Sequence, residues 1–160
     1  DIAMRLMLSI VLAAVAPSAL ACSFAQPEEV QFDSALAVKG ETAPAKPTFA
    51  IDAVRRGNAE NPNDSCGDTG VIVLSVPADA ETRSLAYTFE LLRGEADDLI
   101  FFEGAFKGFE SEGKIEFVFP WVDGADAKQE PLDLAVRITP YRMSGLRGKP
   151  TEVSIRDPGR

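Results

Sequence analysis

The sequence predicts an all-β chain folded as an antiparallel seven-strand β-sandwich. Three observations carry that expectation: apolar and polar residues alternate in short runs, turn residues separate the runs, and no segment offers three clean turns of amphipathic helix. Phe49, Ile51 and Ala53 alternate with Ala50 and Asp52. Residues 71–76, Val-Ile-Val-Leu-Ser-Val, form a continuous apolar run of strand length that Pro77 stops. Tyr87, Phe89 and Leu91 alternate with Thr88 and Glu90, and Ile115, Phe117, Phe119 and Trp121 with Glu116, Val118 and Pro120. Leu132, Leu134, Val136 and Ile138 alternate with Asp133, Ala135, Arg137 and Thr139, and Val153 and Ile155 close the series. A period of two sends one set of side chains to a buried face and the other to solvent. The connections 57–70, 77–81, 94–98, 104–113, 123–131 and 145–150 hold the Gly, Pro, Asn and Asp residues of turns. The expected core is Phe49, Ile51, Ile72, Leu74, Tyr87, Phe89, Ile115, Phe117, Phe119, Trp121, Leu134, Val136, Ile138 and Val153.

The C-terminal third is more specific. An alternating strand (Leu132, Leu134, Val136, Ile138) leads into a loop with Ser144 and Gly145, and Pro150 then precedes Thr151, Val153 and Ile155. This arrangement resembles the last two strands of fibronectin type III-like domains, over residues 131–157. The chain departs from that pattern in having no Tyr at Leu132 or Leu134 and no Trp in residues 71–76. An immunoglobulin-like or other seven-strand sandwich stays open beside it. Both families imply binding and spacing rather than catalysis.

Ahead of the domain, residues 1–21 read as a secretory signal peptide. Arg5 supplies a basic flank, an apolar run lasts through Val15, and Ala19-Leu20-Ala21 forms a small-x-small cleavage site. The alternative of a buried N-terminal helix also fits the run, which is too short to span a bilayer. Residues 22–47 read as an irregular linker or N-terminal arm, rich in Pro, Ala and charge, with room for a short strand at 30–32 or 35–38. The sandwich itself is expected over residues 48–157. Cys22 and Cys66 are the chain's two cysteines. In an exported chain they suggest a disulfide whose loop of about 45 residues would stabilise by about 4 kcal/mol. The competing expectation is acylation of Cys22, since Ala19-Leu20-Ala21-Cys22 looks like a bacterial lipobox with Ala where Leu is usual. The location expected is therefore periplasmic or extracellular, with a lipid anchor to the envelope as the second option.

Composition narrows the function. A net charge of −9 argues against nucleic acid and against anionic membrane surfaces, which need clustered Lys and Arg. The chain has no His, which removes Ser-His-Asp and Cys-His nucleophile activation and every histidine metal site. Asp68-Thr69-Gly70 resembles the aspartic protease signature, whose chemistry needs a second carboxylate sharing the proton. A turn feeding a strand explains the same three residues. Paired-carboxylate catalysis would need two of Asp97, Asp98, Glu103, Asp123 or Asp126 to face each other across a cleft. Asp64, Asp68, Asp123 and Asp126, on two loops, offer hard oxygen ligands for calcium without matching an EF-hand.

The segment most suggestive of binding is 99–109, with Phe101, Phe102, Phe106 and Phe109 among Gly104 and Gly108. Either a short edge strand here caps the core with Phe106 tucked beneath, or Phe102, Phe106 and Phe109 form an exposed docking patch for a protein or peptide. The functional expectation is a non-catalytic, cofactor-free binding or accessory module of the bacterial envelope, with no direct insertion of the mature domain into the membrane unless Cys22 is lipidated. A small aspartic-type hydrolase using Asp68 is the remote alternative.

Overall fold

The computed structural model describes residues 24, 27–58, 66–94, 100–124 and 128–160, and these form nine strands in two antiparallel sheets. The strands are β1 (Glu28–Val30), β2 (Ala50–Arg55), β3 (Thr69–Pro77), β4 (Ala86–Arg93), β5 (Ala105–Lys107), β6 (Phe109–Ser111), β7 (Lys114–Val122), β8 (Leu132–Tyr141) and β9 (Thr151–Asp157). One sheet has the order β1-β5-β4-β8-β9 and the other β2-β3-β7-β6. Residues 1–21 and Cys22 lie outside the described residues.

The long strands lie where the alternation put them. Register places Ile72 opposite Phe119, Leu74 opposite Phe117 and Val76 opposite Ile115 in one sheet. In the other, Phe89 faces Ile138, and Leu134 faces Ile155. The inner faces meet through aromatic rings: Phe89 of β4 lies 5.0 Å from Phe117 and 4.8 Å from Phe119, both of β7. Tilted and edge-on rings at these separations suit their quadrupoles, and each buried side chain contributes about 1.5–3 kcal/mol.

The strand count is corrected from seven to nine because three-residue strands carry too little pattern to be seen. Residues 104–113, expected as a turn, hold β5 and β6, and the true turn is only Glu112-Gly113. Both of those residues have positive φ, 49° and 76°, the geometry of a tight hairpin turn whose twist matches its strands. Ile51 is also corrected, being 40% exposed. A register shift between Ile51 and Ala53 interrupts the period of two in β2, so the alternation does not carry Ile51 inward. Phe49 and Val153 are half-buried and pack against the core, Phe49 edge-on to Tyr87 at 5.4 Å.

The N-terminal arm is part of the fold. β1 extends the five-stranded sheet by pairing with β5, and Val30 packs with Ala86 and Ala105. Phe32 stacks on Tyr141 at 5.0 Å, and Asp33 Oδ1 caps a one-turn 3-10 helix, Ser34–Leu36, by accepting from Ala35 N. Pro44 is fully buried, which a residue without an N–H tolerates well, and its carbonyl accepts from Lys149 N. The stretch that composition reads as a linker therefore wraps the β8–β9 loop.

This topology puts the connections 78–85 (β3–β4), 112–113 (β6–β7) and 142–150 (β8–β9) at one end, joined by the arm. The last residues of β2, β4 and β7 and the first residues of β3 and β8 lie toward the other. No helix among the described residues is long and apolar enough to cross a membrane.

Candidate ligand cleft at one end of the sandwich

At the 78–85 end, polar side chains first shape the loop. Asp79 Oδ1 accepts from the N–H groups of Glu81 and Thr82, both at 2.8 Å. Thr82 Oγ1 accepts from Asp79 N at 2.9 Å and donates to Pro77 O at 2.7 Å. This reciprocal pair fixes the turn, since short polar side chains offer the backbone partners that no strand supplies. The bond from Thr82 N–H holds the Asp79 carboxyl below its ordinary value. Neighbouring connections then tie in. Ala78 N donates to Gly113 O, Arg142 Nη2 to Glu81 Oε1 at 3.1 Å, and Arg142 Nε to Thr42 O. Ser144 Oγ donates to Glu41 Oε2 at 2.6 Å. Arg83 grips Glu110 with two bonds of 2.7 and 2.8 Å on the exposed flank.

Between the arm and this loop lies a cleft of about 230 Å³. Ala45, Lys46, Pro47 and Thr48 form its arm side, Val76, Pro77 and Leu85 its apolar walls, and Asp79, Glu81 and Thr82 its polar rim. Tyr87 also lines it, and this side chain is 0% exposed. Its hydroxyl is buried with no hydrogen-bond partner among the described residues. Burial first, then the negative charges of Asp79 and Glu81, push that hydroxyl well above its usual titration range, so it is neutral. A buried hydroxyl without a partner costs about 1–3 kcal/mol, and this one belongs to a residue that lines the cleft.

The other end is closed by charge. Arg56 makes a bidentate pair with Asp123, Nη2 to Oδ1 at 2.8 Å and Nε to Oδ2 at 2.9 Å. These side chains are only 9% and 4% exposed. Arg56 Nη1 reaches Asp157 Oδ1 at 3.1 Å and Glu130 O at 3.0 Å, bridging the two sheets. Asp123 also accepts from Gly57 N at 2.7 Å, Gln129 Nε2 at 3.1 Å and Trp121 Nε1 at 3.3 Å. Burial raises the Asp123 carboxyl, but the bonds from Arg56 and Gly57 outweigh it and hold the group below its ordinary value. Gln129 Oε1 is the other buried side-chain atom without a partner among the described residues, and its neighbours 125–127 lie outside them.

The residues singled out in the sequence fall differently. Phe106 is 7% exposed, sits in β5 opposite Tyr87, and packs on Phe102 at 5.8 Å. Phe102 is half-buried and also meets Phe119, and Phe109 is half-buried in β6. Of the two expectations for this segment, the exposed patch of Phe102, Phe106 and Phe109 is corrected at Phe106, which is tucked inward as the other expected, because β5 pairs on both sides and turns its apolar face to the core. Asp68 is exposed on the turn before β3, where its carbonyl accepts from Asp123 N at 2.9 Å. Gly70 has a packing role, since a Cβ there would lie 2.3 Å from the Trp121 ring. Asp123, a candidate calcium ligand, has its oxygens engaged by Arg56, Gly57, Gln129 and Trp121. Asp64, Asp97, Asp98 and Asp126 lie outside the described residues, and Glu103 is exposed. No group of three or more metal-ligating side chains occurs among the described residues, where no cysteine is free either. The predicted partner of Cys66, Cys22, lies outside them.

Sequence reasoning missed the cleft because Tyr87 reads as core, and it is core. The available signal was a Tyr where the alternating strands otherwise place Phe: a phenol in a core face needs a partner that Phe does not. No family model, curated protein or solved structure matches this chain significantly.

Proposed function

We infer that this chain is a non-catalytic, exported binding module of immunoglobulin-like, fibronectin III-class architecture, and that it engages a protein or peptide partner through the Tyr87 cleft. The observation that carries the reading is the buried, unpartnered Tyr87 hydroxyl in a cleft whose loop is fixed in advance by Asp79 and Thr82. Binding sites of this kind are largely pre-formed, apolar-walled and furnished with a few convergent polar groups. The architecture is supported by strand order. β2-β3-β7-β6 follows the A-B-E-D order of such sandwiches and β4-β8-β9 the C-F-G order, with β5 and β1 added at the edge. In that frame the cleft lies at the end where variable domains carry their binding loops.

Export rests on residues 1–21 and places the module in the periplasm or outside the cell. The two cysteines then form the Cys22–Cys66 bridge, a reading supported by the absence of a free cysteine among the described residues. Intact mass of the mature protein separates this bridge from acylation of Cys22. The binding reading is tested by capture from the native envelope with three baits: the parent, Thr48→Tyr, which fills the cleft from its exposed arm side, and Arg55→Gln at the opposite end. The expected result is a partner held by the parent and by Arg55→Gln and lost with Thr48→Tyr. Equal capture by all three overturns it.

A further inference from the structure

We propose that the Tyr87 cleft is a receptor for a primary ammonium group on an alkyl stem, such as a lysine side chain presented by the partner. The inference rests on the binding reading above and names its chemistry. The cleft, at about 230 Å³, is smaller than the roughly 300–1,000 Å³ of clefts that hold whole small molecules, so it has room for one side chain. Its walls, Val76, Pro77, Leu85 and Pro47, suit a methylene stem.

The polar groups choose the head. Asp79 and Glu81 set a negative field at the Tyr87 hydroxyl, which excludes an anion. The hydroxyl is buried and without a partner among the described residues, ready to accept a bond. Each carboxylate has one oxygen already engaged: Asp79 Oδ1 by two backbone N–H groups, and Glu81 Oε1 by Arg142. Neither offers two free oxygens side by side, so neither can take the two parallel bonds that a guanidinium prefers. An ammonium is a compact charge with three rotatable donors, and it can use single oxygens on separate residues. Lys46 at the mouth is exposed, so solvent screens its opposing charge.

The test is amide-resolved NMR titration of the full chain with n-butylammonium, 1-butanol, n-butylguanidinium and a short blocked peptide carrying one lysine. Butylammonium is expected to shift the amides of Asp79, Leu85 and Tyr87 with millimolar affinity. Butanol and butylguanidinium are expected to bind at least about tenfold more weakly. Tyr87→Phe, which keeps the ring, should weaken butylammonium about tenfold, and Glu81→Gln should also weaken it, while Lys46→Gln tightens it about two- to threefold. Tighter binding of the peptide than of the free amine assigns the group to a partner's lysine. The reverse order assigns it to a free amine. Butanol matching butylammonium, or no shifts with any probe, overturns the proposal and leaves an apolar slot or a water site. Capture lost with Thr48→Tyr while no amine binds would sink this inference alone. Amine binding with capture unchanged by Thr48→Tyr would sink the module reading instead.

Discussion

The Arg56 end and the Tyr87 end of the sandwich solve the same problem in opposite ways. Each must finish a two-sheet core with polar residues from the connections that meet there. At the Arg56 end the charges are buried and matched, and Asp123 accepts from a guanidinium, a backbone N–H, an amide and an indole. At the Tyr87 end the charges stay at the rim, and the buried Tyr87 hydroxyl has no partner among the described residues. Gln129 Oε1 beside Asp123 is likewise without a partner among the described residues, so what separates the ends is where their charges lie, buried and paired at one and at the rim of a cleft at the other. That difference makes the Arg56 end the one expected to carry more of the stability.

Breaking the Arg56 end should produce the largest effect. Asp123→Ala strands a buried guanidinium and is expected to cost about 3–5 kcal/mol in urea unfolding. A loss below about 1 kcal/mol would mean that Asp157 alone carries Arg56. The same carboxyl sets an acid limb. Its folded value is lowered below 3.8, so its contribution is present above that pH and is lost as pH falls through the folded value. The parent should therefore lose stability on acidification below about pH 4 more steeply than Asp123→Asn does. Parallel acid limbs would remove Asp123 from that role.

Gly70→Ala tests the seat of Trp121 beside this cluster. It should cost about 1–3 kcal/mol by overpacking and shift the emission of the chain's single Trp. Unchanged emission would show that the indole does not depend on that close approach.

The Tyr87 end should respond weakly. Tyr87→Phe removes an unpartnered hydroxyl and is expected to leave stability unchanged or raise it by up to about 1 kcal/mol. A loss above about 1 kcal/mol would reveal a bonded hydroxyl and erase the contrast between the ends. Glu81→Gln breaks a partly exposed pair with Arg142 and should change stability by less than about 1 kcal/mol. A larger change would make the rim structural rather than free for a ligand.

Legibility in the sequence followed the length of the pattern. β7 was readable because four buried residues alternate through it, from Ile115 to Trp121. β5 and β6 were not, since three residues cannot establish a period. Ile51 misled because a bulge leaves no mark in composition. Phe106 stayed open between two readings because glycines around a Phe suit a loop tip as well as a covered strand. The cleft combines Lys46, Asp79 and Tyr87, and no local spacing joins an arm, a loop and a strand.

The sequence by itself determined an all-β sandwich, its long strands and most of its inward face, because a period of two is a local consequence of strand geometry. It also determined what chemistry was absent, since a chain without His has no imidazole. Tertiary structure alone decided that the proline-bearing arm is a wall of the domain, that Asp123 answers Arg56, and that the Tyr87 hydroxyl is buried without a partner among the described residues in a cleft that Asp79 and Glu81 also line. Those outcomes depend on which connections meet at each end of the sandwich, and that is set by sheet pairing over long separations rather than by neighbours along the chain.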